Sequence, residues 1–424
     1  MDNTIRIRQF LRRESHERAH LILRFPPALR IFGYTLFHSI VADPEVVTEA
    51  LDRPDSGLDA GCADCVDSAG LTRQDIAVDH DRTELMVTEG EVLVCHNGLD
   101  RLKMIVGIHK CDDDEAILTR VTVRHEDKER LQGVADWIER LRRDNGPING
   151  KTVTLGEHGI TFLPPSAVAD EDVILPEGVK EILQRSFAFL DDPLPWPQTL
   201  RHRGVLLAGP PGVGKTLAAR WLSARLPVTT IWVTPGVLAA IGPTEIFRLA
   251  SRCKPTLLIL EDLNGLEGPG DDPRVYGALL GHMDGFTDLS GLGILATTNR
   301  PETFGTALHP SDRPGRFHRL IEFDLPDAGL RRQMIVHLVN TSTVLDPLDD
   351  ITFERLVEHT NNQTGAQIAE LIRELESRLL WNLQKGQPAD LNTILEDLAE
   401  ETRSNKGFGF GRSRGAAVTG DPVF

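Results

Sequence analysis

The sequence predicts an α/β fold: a parallel five-stranded sheet, preceded by an α+β domain and followed by a helical domain. Between Gly204 and Pro326, five short apolar runs occur, and helix-compatible stretches separate most of them. Unbroken apolar strands that alternate with helices are typical of a parallel sheet covered on both faces. Earlier in the chain, apolar residues alternate with polar ones, which predicts antiparallel strands. After Pro326 only helix-like periodicity remains.

Length and charge limit the function classes. The 424 residues predict two to four domains, at roughly 100–200 residues each. With 63 acids against 46 bases, the net charge is −17, which disfavours a duplex nucleic-acid binder because phosphate contacts need clustered Lys and Arg. There is no apolar run of about 18 residues, so we expect no transmembrane segment. Five cysteines are too few for a disulfide framework in a chain this long, and we expect a cytoplasmic protein.

The first predicted domain, residues 1–165, combines helices with an antiparallel meander. We expect a basic helix over Arg6–Leu23, and Glu45–Leu51 as part of another. Three alternating strands and an amphipathic helix follow. These elements are Glu91–Cys95, Lys103–Ile108, Ile117–Val123 and Lys128–Arg143. Turn-rich Asp144–Gly150 is a candidate boundary, and no motif in this domain identifies its partner.

Three further domains are predicted: an α/β core over 166–326, a helical lid over 327–402 and a disordered Gly-rich tail over 403–424. The predicted core strands are Val205–Ala208, Thr229–Thr234, Thr256–Leu260, Gly293–Thr298 and Leu320–Leu325. The predicted lid helices are Leu330–Val339, Thr352–His359, Ala366–Leu383 and Asp390–Glu401. The tail contains GFGFGRSRG and lacks periodicity, which is typical of disorder.

A glycine-rich loop between the first core strand and a helix predicts a phosphate site for ATP. It fits G-x-x-x-x-G-K-[ST] in full. Its residues are Gly209, Pro210, Pro211, Gly212, Val213, Gly214, Lys215 and Thr216, followed by Leu217. Gly212 and Gly214 let the loop curl so that backbone N–H groups face the phosphates. Lys215 places a positive charge on the β- and γ-phosphates, and Thr216 offers a hydroxyl to Mg²⁺.

Two carboxylates and an amide follow buried strands downstream. Glu261 and Asp262 end the Thr256–Leu260 strand. In P-loop nucleotidases one such carboxylate holds Mg²⁺ and a second can activate the attacking water, so we assign Glu261 to the metal and Asp262 to the water. Asn299 ends another strand at the sheet edge where ligands bind, and we expect it to orient the water or touch the γ-phosphate.

Two arginines flank a rigid Pro-Gly turn in Ser311–Arg316. The guanidinium groups of Arg313 and Arg316 suit a γ-phosphate because they are planar and permanently charged. A finger of this kind, supplied by a neighbouring subunit, is one route to hydrolysis. The alternative is a pair of surface arginines facing Asp312 or Glu322.

In this order, the motifs resemble the AAA subfamily of AAA+ ATPases over roughly Asp170–Glu400. GPPGVGKT resembles the Walker A motif, LLILED Walker B, ATTN sensor 1 and RPGR the arginine-finger segment. The Glu-Asp order and LLGHMDG are similar to the mitochondrial Rieske-protein translocase AAA ATPase and its soluble bacterial relatives. The resemblance implies a homo-oligomeric ring, a hexamer, that works on a protein substrate, with recognition through residues 1–165. It also implies that Asp170–Val179 and Gly365 flank the adenine.

The chain departs from the family pattern in two places. Walker B commonly ends in Asp-Glu, so a shorter carboxylate at the water position predicts slower hydrolysis or a shifted backbone. The central-pore loop usually carries an aromatic residue, whereas Pro235–Pro243 offers only Val237, Leu238 and Ile241. This loss predicts a weak grip on an unfolded chain.

Several alternatives stay open at this point. The swapped carboxylates support a slow-hydrolysing, ATP-controlled scaffold, and a DNA-acting machine would require a local basic patch. His16 and His20 fit H-E-x-x-H of a zinc protease, but the arginines around them oppose a bound dication. Cys62 and Cys65, with two later cysteines (Cys95 and Cys111), are weak candidates for a metal site because a second C-x-x-C is missing.

Overall fold

The computed structural model describes most of the chain in two compact units. The described residues are 18–25, 29–48, 72–111, 115–156, 159–164, 168–191, 196–197, 202–263, 273–283, 289–300, 317–345, 348–386 and 391–403. The described residues of the first unit fall within Met1–Asp170, Gly178–Gly209 and Lys215–Glu322. Those of the second fall within Glu171–Glu177, Pro210–Gly214 and Phe323–Phe424.

The first unit contains a six-stranded antiparallel sheet. Its strands are β1 (Arg18–Phe25), β2 (Val46–Thr48), β3 (Thr72–Ala77), β4 (Thr83–His96), β5 (Leu102–Lys110) and β6 (Ile117–Arg124). They lie in the order β1-β6-β5-β4-β2, and β3 pairs with β4. Two helices, α1 (Arg30–Ala42) and α2 (Leu131–Asp144), pack against it, and short 3-10 turns cover Asn97–Leu99 and His125–Arg130. The predicted meander is therefore confirmed as β4-β5-β6.

Two predicted helices of this region are wrong where the structure describes them. Arg18–Leu23, the end of the predicted basic helix, lies in β1 and pairs antiparallel with β6. Outward side chains such as Ile22 alternate with half-buried ones along it, the two-residue period of a strand. Val46–Thr48 is likewise a strand, paired with β4. In both places pairing to a neighbouring strand decides the conformation, and the local sequence does not show it.

A second, parallel-rich sheet follows in the same unit, and it has seven strands where five were predicted. Its strands are β7 (Thr152–Gly156), β8 (Gly159–Phe162), β9 (His202–Ala208), β10 (Thr229–Val233), β11 (Thr256–Leu260), β12 (Leu292–Thr298) and β13 (Arg319–Glu322). The order is β13-β9-β12-β11-β10-β7-β8, with only β7 and β8 antiparallel. The five predicted strands are all present, and β7 and β8 extend the sheet beyond β10.

The parallel sheet is covered by helices, which explains its unbroken apolar strands. Every residue of β10, β11 and β12 is buried. The described helices around it are α3 (Val179–Phe187), α4 (Lys215–Arg225), α5 (Pro235–Ile241), α6 (Pro243–Arg252) and α7 (Pro273–Met283). The sheet's core also includes Leu29 and Ile31 at the start of α1. The seven-stranded sheet thus begins before the predicted boundary at 165 and shares apolar contacts with the region in front of it.

In the described part of the second unit, four helices follow Pro326. These are α8 (Ala328–Thr341), α9 (Asp350–His359), α10 (Gly365–Lys385) and α11 (Leu391–Arg403), close to the four predicted spans. Asp327, Asp349 and Thr364 cap the first three helices with side-chain oxygens. Apolar residues from all four helices form one core. Across the part of the chain that is described, none of the helices has the length and apolar character needed to cross a bilayer.

Candidate functional site

The glycine-rich loop runs from the buried end of β9 into α4. Gly209, Gly212 and Gly214 have φ values of 144°, 82° and 105°. A residue with a Cβ rarely adopts these conformations, so the loop needs glycine at all three positions. The Gly209 N–H donates to the Thr298 carbonyl at 3.2 Å, which attaches the start of the loop to the end of β12.

Lys215 opens α4 with a buried ammonium group. Its side chain is 5% exposed, and Nζ donates to the Gly209 carbonyl at 2.6 Å. Burial lowers the pKa of Lys215, whereas the nearby Asp262 carboxylate acts in the opposite direction. A desolvated cation that bonds back to its own loop is well placed to exchange that bond for an anion.

Thr216 and Glu261 lie together at the carboxyl edge of the sheet. Glu261 follows β11, and its N–H donates to the Val233 carbonyl at 2.9 Å. Burial and the neighbouring Asp262 carboxylate raise the pKa of Glu261, while a hydrogen bond with the Thr216 side chain lowers it. A hydroxyl and a carboxylate in contact supply the hard oxygen ligands that Mg²⁺ prefers, so these residues fit the predicted metal pair.

Asp262 meets Asn299 at the same edge. Asn299 Nδ2 donates to Asp262 Oδ1 at 3.2 Å, so the two side chains that the sequence assigns to the water are in direct contact. Asp262 has a φ of 45°, and its N–H donates to Thr297 Oγ1 at 2.9 Å. The sequence predicted a possible backbone shift at this residue but missed Thr297. Thr297 lies near the end of β12 and Asn299 one residue beyond that end, and this two-residue spacing, the period of a strand, could have identified Thr297.

In the second unit, the middle of the loop lies against the start of α10. The Ala366 N–H donates to the Gly212 carbonyl at 3.0 Å. A Cβ added at Gly212 would lie 2.9 Å from Thr364 Oγ1. Gly365, predicted to flank the adenine, begins α10, and a Cβ there would lie 3.5 Å from the same carbonyl. A Cβ at Gly214 would lie 3.4 Å from Leu175, so the Glu171–Glu177 segment also contacts this loop.

Asp170, at the start of the other predicted adenine segment, is held by two side chains of α4. Its carboxylate accepts hydrogen bonds from Trp221 Nε1 and from Arg225, each at 2.7 Å. Lys180 donates to its carbonyl at 2.7 Å. The Trp221 hydrogen bond is the main reason that the pKa of Asp170 is lowered. The carboxylate of Asp170 is therefore bound by side chains of the protein itself.

Some predicted residues lie outside the described part of the chain, and others lie in elements away from this site. Arg313 and Arg316 lie outside the described residues, as do His16, Cys62 and Cys65. His20 lies in β1 and its Nδ1 is 3.0 Å from Thr122 Oγ1, so the helical spacing assumed for H-E-x-x-H is wrong at this residue. Cys95 is a buried free thiol and Cys111 a partly buried one. Of the pore-loop residues, Val237 and Leu238 are buried in α5 within the first unit's core.

The comparisons with known proteins agree with this geometry. Residues 205–325 match the model of the ATPase family associated with various cellular activities (AAA). The chain contains an AAA ATPase domain. The phosphate loop and the Glu261-Asp262 pair lie within the matched residues, which makes ATP binding and hydrolysis the activity to test.

Full-length relatives share only part of their length with this chain. It is 30% identical to the ATP-dependent zinc metalloprotease FtsH of Acidimicrobium ferrooxidans over 56% of this chain and 38% of that protein. It is 29% identical to the proteasome-activating nucleotidase of Pyrococcus abyssi over 63% of this chain and 73% of that protein. Protein SAV of Sulfolobus acidocaldarius is 31% identical over 46% of this chain and 27% of its own length. The chain thus spans well under half of the FtsH proteins that it matches.

Proposed function

We propose that this protein is an ATP-hydrolysing motor subunit that forms a homo-oligomeric ring, a hexamer, and remodels or moves a protein partner. The observation that carries the proposal is the meeting of Lys215, Glu261, Asp262 and Asn299 at the carboxyl edge of one parallel sheet. Lys215, the Glu261-Asp262 pair and Asn299 lie far apart in sequence, and their side-chain types match what phosphate binding and water activation need.

ATP binding is assigned to the loop and the groups next to it. The N–H groups of Gly209–Gly214 and the start of α4 face the phosphates, and Lys215 exchanges its bond to Gly209 for a phosphate oxygen. Thr216 and Glu261 would hold Mg²⁺. When bound, this ion neutralises charge that develops on the β- and γ-phosphate oxygens. Gly365 and the segment after Asp170 flank the base.

Hydrolysis is assigned to Asp262, which would accept a proton from the attacking water, and to Asn299, which would orient that water. The hydrogen bond between their side chains orients the carboxylate before substrate arrives. Arg313 and Arg316 of a neighbouring subunit would complete the site by stabilising charge on the γ-phosphate. The rate of ATP hydrolysis per subunit would then depend on assembly of the ring.

The partner is proposed to be a protein, recognised through residues 1–165. Similarity to a proteasome-activating nucleotidase and to FtsH proteases supports a protein substrate, and the net charge of −17 disfavours nucleic acid. The Glu261-Asp262 order and the LLGHMDG segment support a place near the Rieske-protein translocase group. Burial of Val237 and Leu238 supports a weak grip on unfolded chains.

The test is steady-state ATP hydrolysis per subunit as a function of protein concentration, with Lys215→Ala as the blank. We expect a rate that rises with concentration to a plateau and vanishes in Lys215→Ala. An equimolar mixture of Lys215→Ala with an Arg313→Ala, Arg316→Ala double variant should recover activity, because mixed rings contain interfaces with one intact site and one intact finger. A rate per subunit that does not change with concentration would contradict shared sites.

A slow ATP-controlled switch is the second candidate. Its support is the Glu261-Asp262 order, because an aspartate at the water position reaches one methylene less far than a glutamate unless the backbone compensates. ATP binding with negligible turnover at every protein concentration would select this candidate over the motor.

A further inference from the structure

Two residues at the end of β12 hold Asp262 at its backbone and at its side chain. Thr297 Oγ1 accepts the Asp262 N–H at 2.9 Å, and Asn299 Nδ2 donates to Asp262 Oδ1 at 3.2 Å. The strand register explains why both can reach it. Leu260 pairs with Ala296, so the residues just beyond each of them lie side by side at the sheet edge.

The backbone of Asp262 needs such support. Its φ of 45° is the left-handed region, which is sterically disfavoured for any residue with a Cβ. Thr297 is 1% exposed, so its hydroxyl takes the place of water as the acceptor for this N–H. Removing the hydroxyl would leave the donor without this acceptor and free the residue to return to an ordinary conformation.

Backbone direction matters more for Asp262 than it would for a glutamate. An aspartate has one methylene fewer between backbone and carboxylate, so the position of its carboxylate follows the backbone closely. A contact that fixes the backbone therefore fixes the carboxylate. Asn299 alone acts on one oxygen and leaves the backbone torsions unconstrained.

We propose that Thr297 is a positioning residue for ATP hydrolysis, which acts by holding the Asp262 backbone in its left-handed conformation. The inference rests on the proposed function because its effect on rate passes through Asp262. It assigns no contact between Thr297 and nucleotide. It also explains how a shorter carboxylate at this position is compatible with turnover.

The experiment compares Thr297→Val, which keeps the shape and removes the hydroxyl, with Thr297→Ser, which keeps the hydroxyl. Thr256→Val is the matched control. Thr256 is equally buried, and its hydroxyl donates to the Cys253 carbonyl at 2.6 Å at the opposite end of β11. Full-length proteins are assayed for kcat and KM for ATP, and for amide hydrogen exchange in peptides that contain Asp262.

We expect Thr297→Val to lower kcat by about 10- to 100-fold, the usual consequence of misplacing a catalytic group by an ångström or less, with KM changed by less than about threefold. Amide hydrogen exchange at Asp262 should become faster in this variant. Thr297→Ser should restore both, and Thr256→Val should change neither. In an Asp262→Glu background, Thr297→Val should lower kcat by a smaller factor, because the position of a longer side chain depends less on the backbone.

Two results would overturn the inference: unchanged kcat in Thr297→Val, or equal losses in Thr297→Val and Thr297→Ser. The two failures can be told apart. A wild-type protein whose phosphate release equals that of Lys215→Ala refutes the proposed function itself. Wild-type turnover that depends on Lys215 but not on the Thr297 hydroxyl refutes only the inference.

Discussion

Gly212→Ala should weaken ATP binding, and the size of the effect follows from backbone strain in the phosphate loop and from two close contacts. At a φ of 82°, a Cβ costs about 1–2 kcal/mol relative to glycine. The new methyl would lie 2.9 Å from Thr364 Oγ1 and 3.0 Å from the Ala366 Cβ, so either the loop or the start of α10 must move.

Movement of Thr364 has its own cost because this residue caps α10. Its Oγ1 accepts the Gln367 N–H at 3.3 Å, and its own N–H donates to Gln367 Oε1 at 2.8 Å. Losing such a cap costs about 1 kcal/mol. Strain and cap together amount to about 2–3 kcal/mol, which corresponds to roughly a 30- to 150-fold loss of ATP affinity if the loop carries all of it.

The assay is ATP binding by calorimetry together with thermal unfolding, with Gly281→Ala as the control. Gly281 lies inside α7, and a Cβ there would have nothing within 4 Å. Alanine in an open helix interior stabilises by up to about 1 kcal/mol, so the control should melt at an equal or higher temperature. If Gly212→Ala binds ATP as tightly as the control and melts with it, the steric argument is refuted.

Three further outcomes test the electrostatics. His318 Nδ1 accepts the Gly204 N–H at 3.1 Å, and burial lowers the pKa of His318 to about 4. The free energy of unfolding should therefore be full above about pH 6.5 and fall towards pH 4. Allowing for solvent screening of this half-buried ring, chemical denaturation should show a fall about 1–2 kcal/mol larger than in His318→Gln. Burial raises the pKa of Cys253 to about 12, so peptide mapping at pH 8 should find Cys253 unlabelled by iodoacetamide in the native protein while Cys111 reacts. Since burial raises the pKa of Glu261, apparent Mg²⁺ affinity should weaken as pH falls, and Glu261→Gln should remove that dependence.

The phosphate loop and the two carboxylates could be predicted because their chemistry fixes residue types over short spans. Lys215 and Thr216 are adjacent in the chain, and the strand–loop–helix context is local. The strand β1 could not be predicted in this way. Its eight residues include enough Arg and Leu to suit a helix, and only pairing with β6, about a hundred residues later, makes it a strand.

The extra strands of the parallel sheet were missed for a related reason. Thr152–Gly156 and Gly159–Phe162 are short and half-buried, unlike the fully buried strands β10–β12. They lie on the far side of β10, where the sheet is less covered, so their apolar pattern is weak. The sequence therefore offered no reason to separate these two strands from the preceding domain.

The order of the two carboxylates shows why residue type and residue position have to be argued separately. From the sequence, an aspartate at the water position predicts slow hydrolysis or a shifted backbone, and these two outcomes have opposite consequences for function. The left-handed φ of Asp262 is such a shift, and the hydrogen bond from its N–H to Thr297 gives it a physical cause. The sequence around Asp262 does not show this hydrogen bond, because 35 residues separate donor and acceptor and only the β11–β12 register brings them together. A shorter side chain on a held backbone can then place a carboxylate as reproducibly as a longer one on an ordinary backbone, so the Glu261-Asp262 order is not by itself evidence for a slow enzyme.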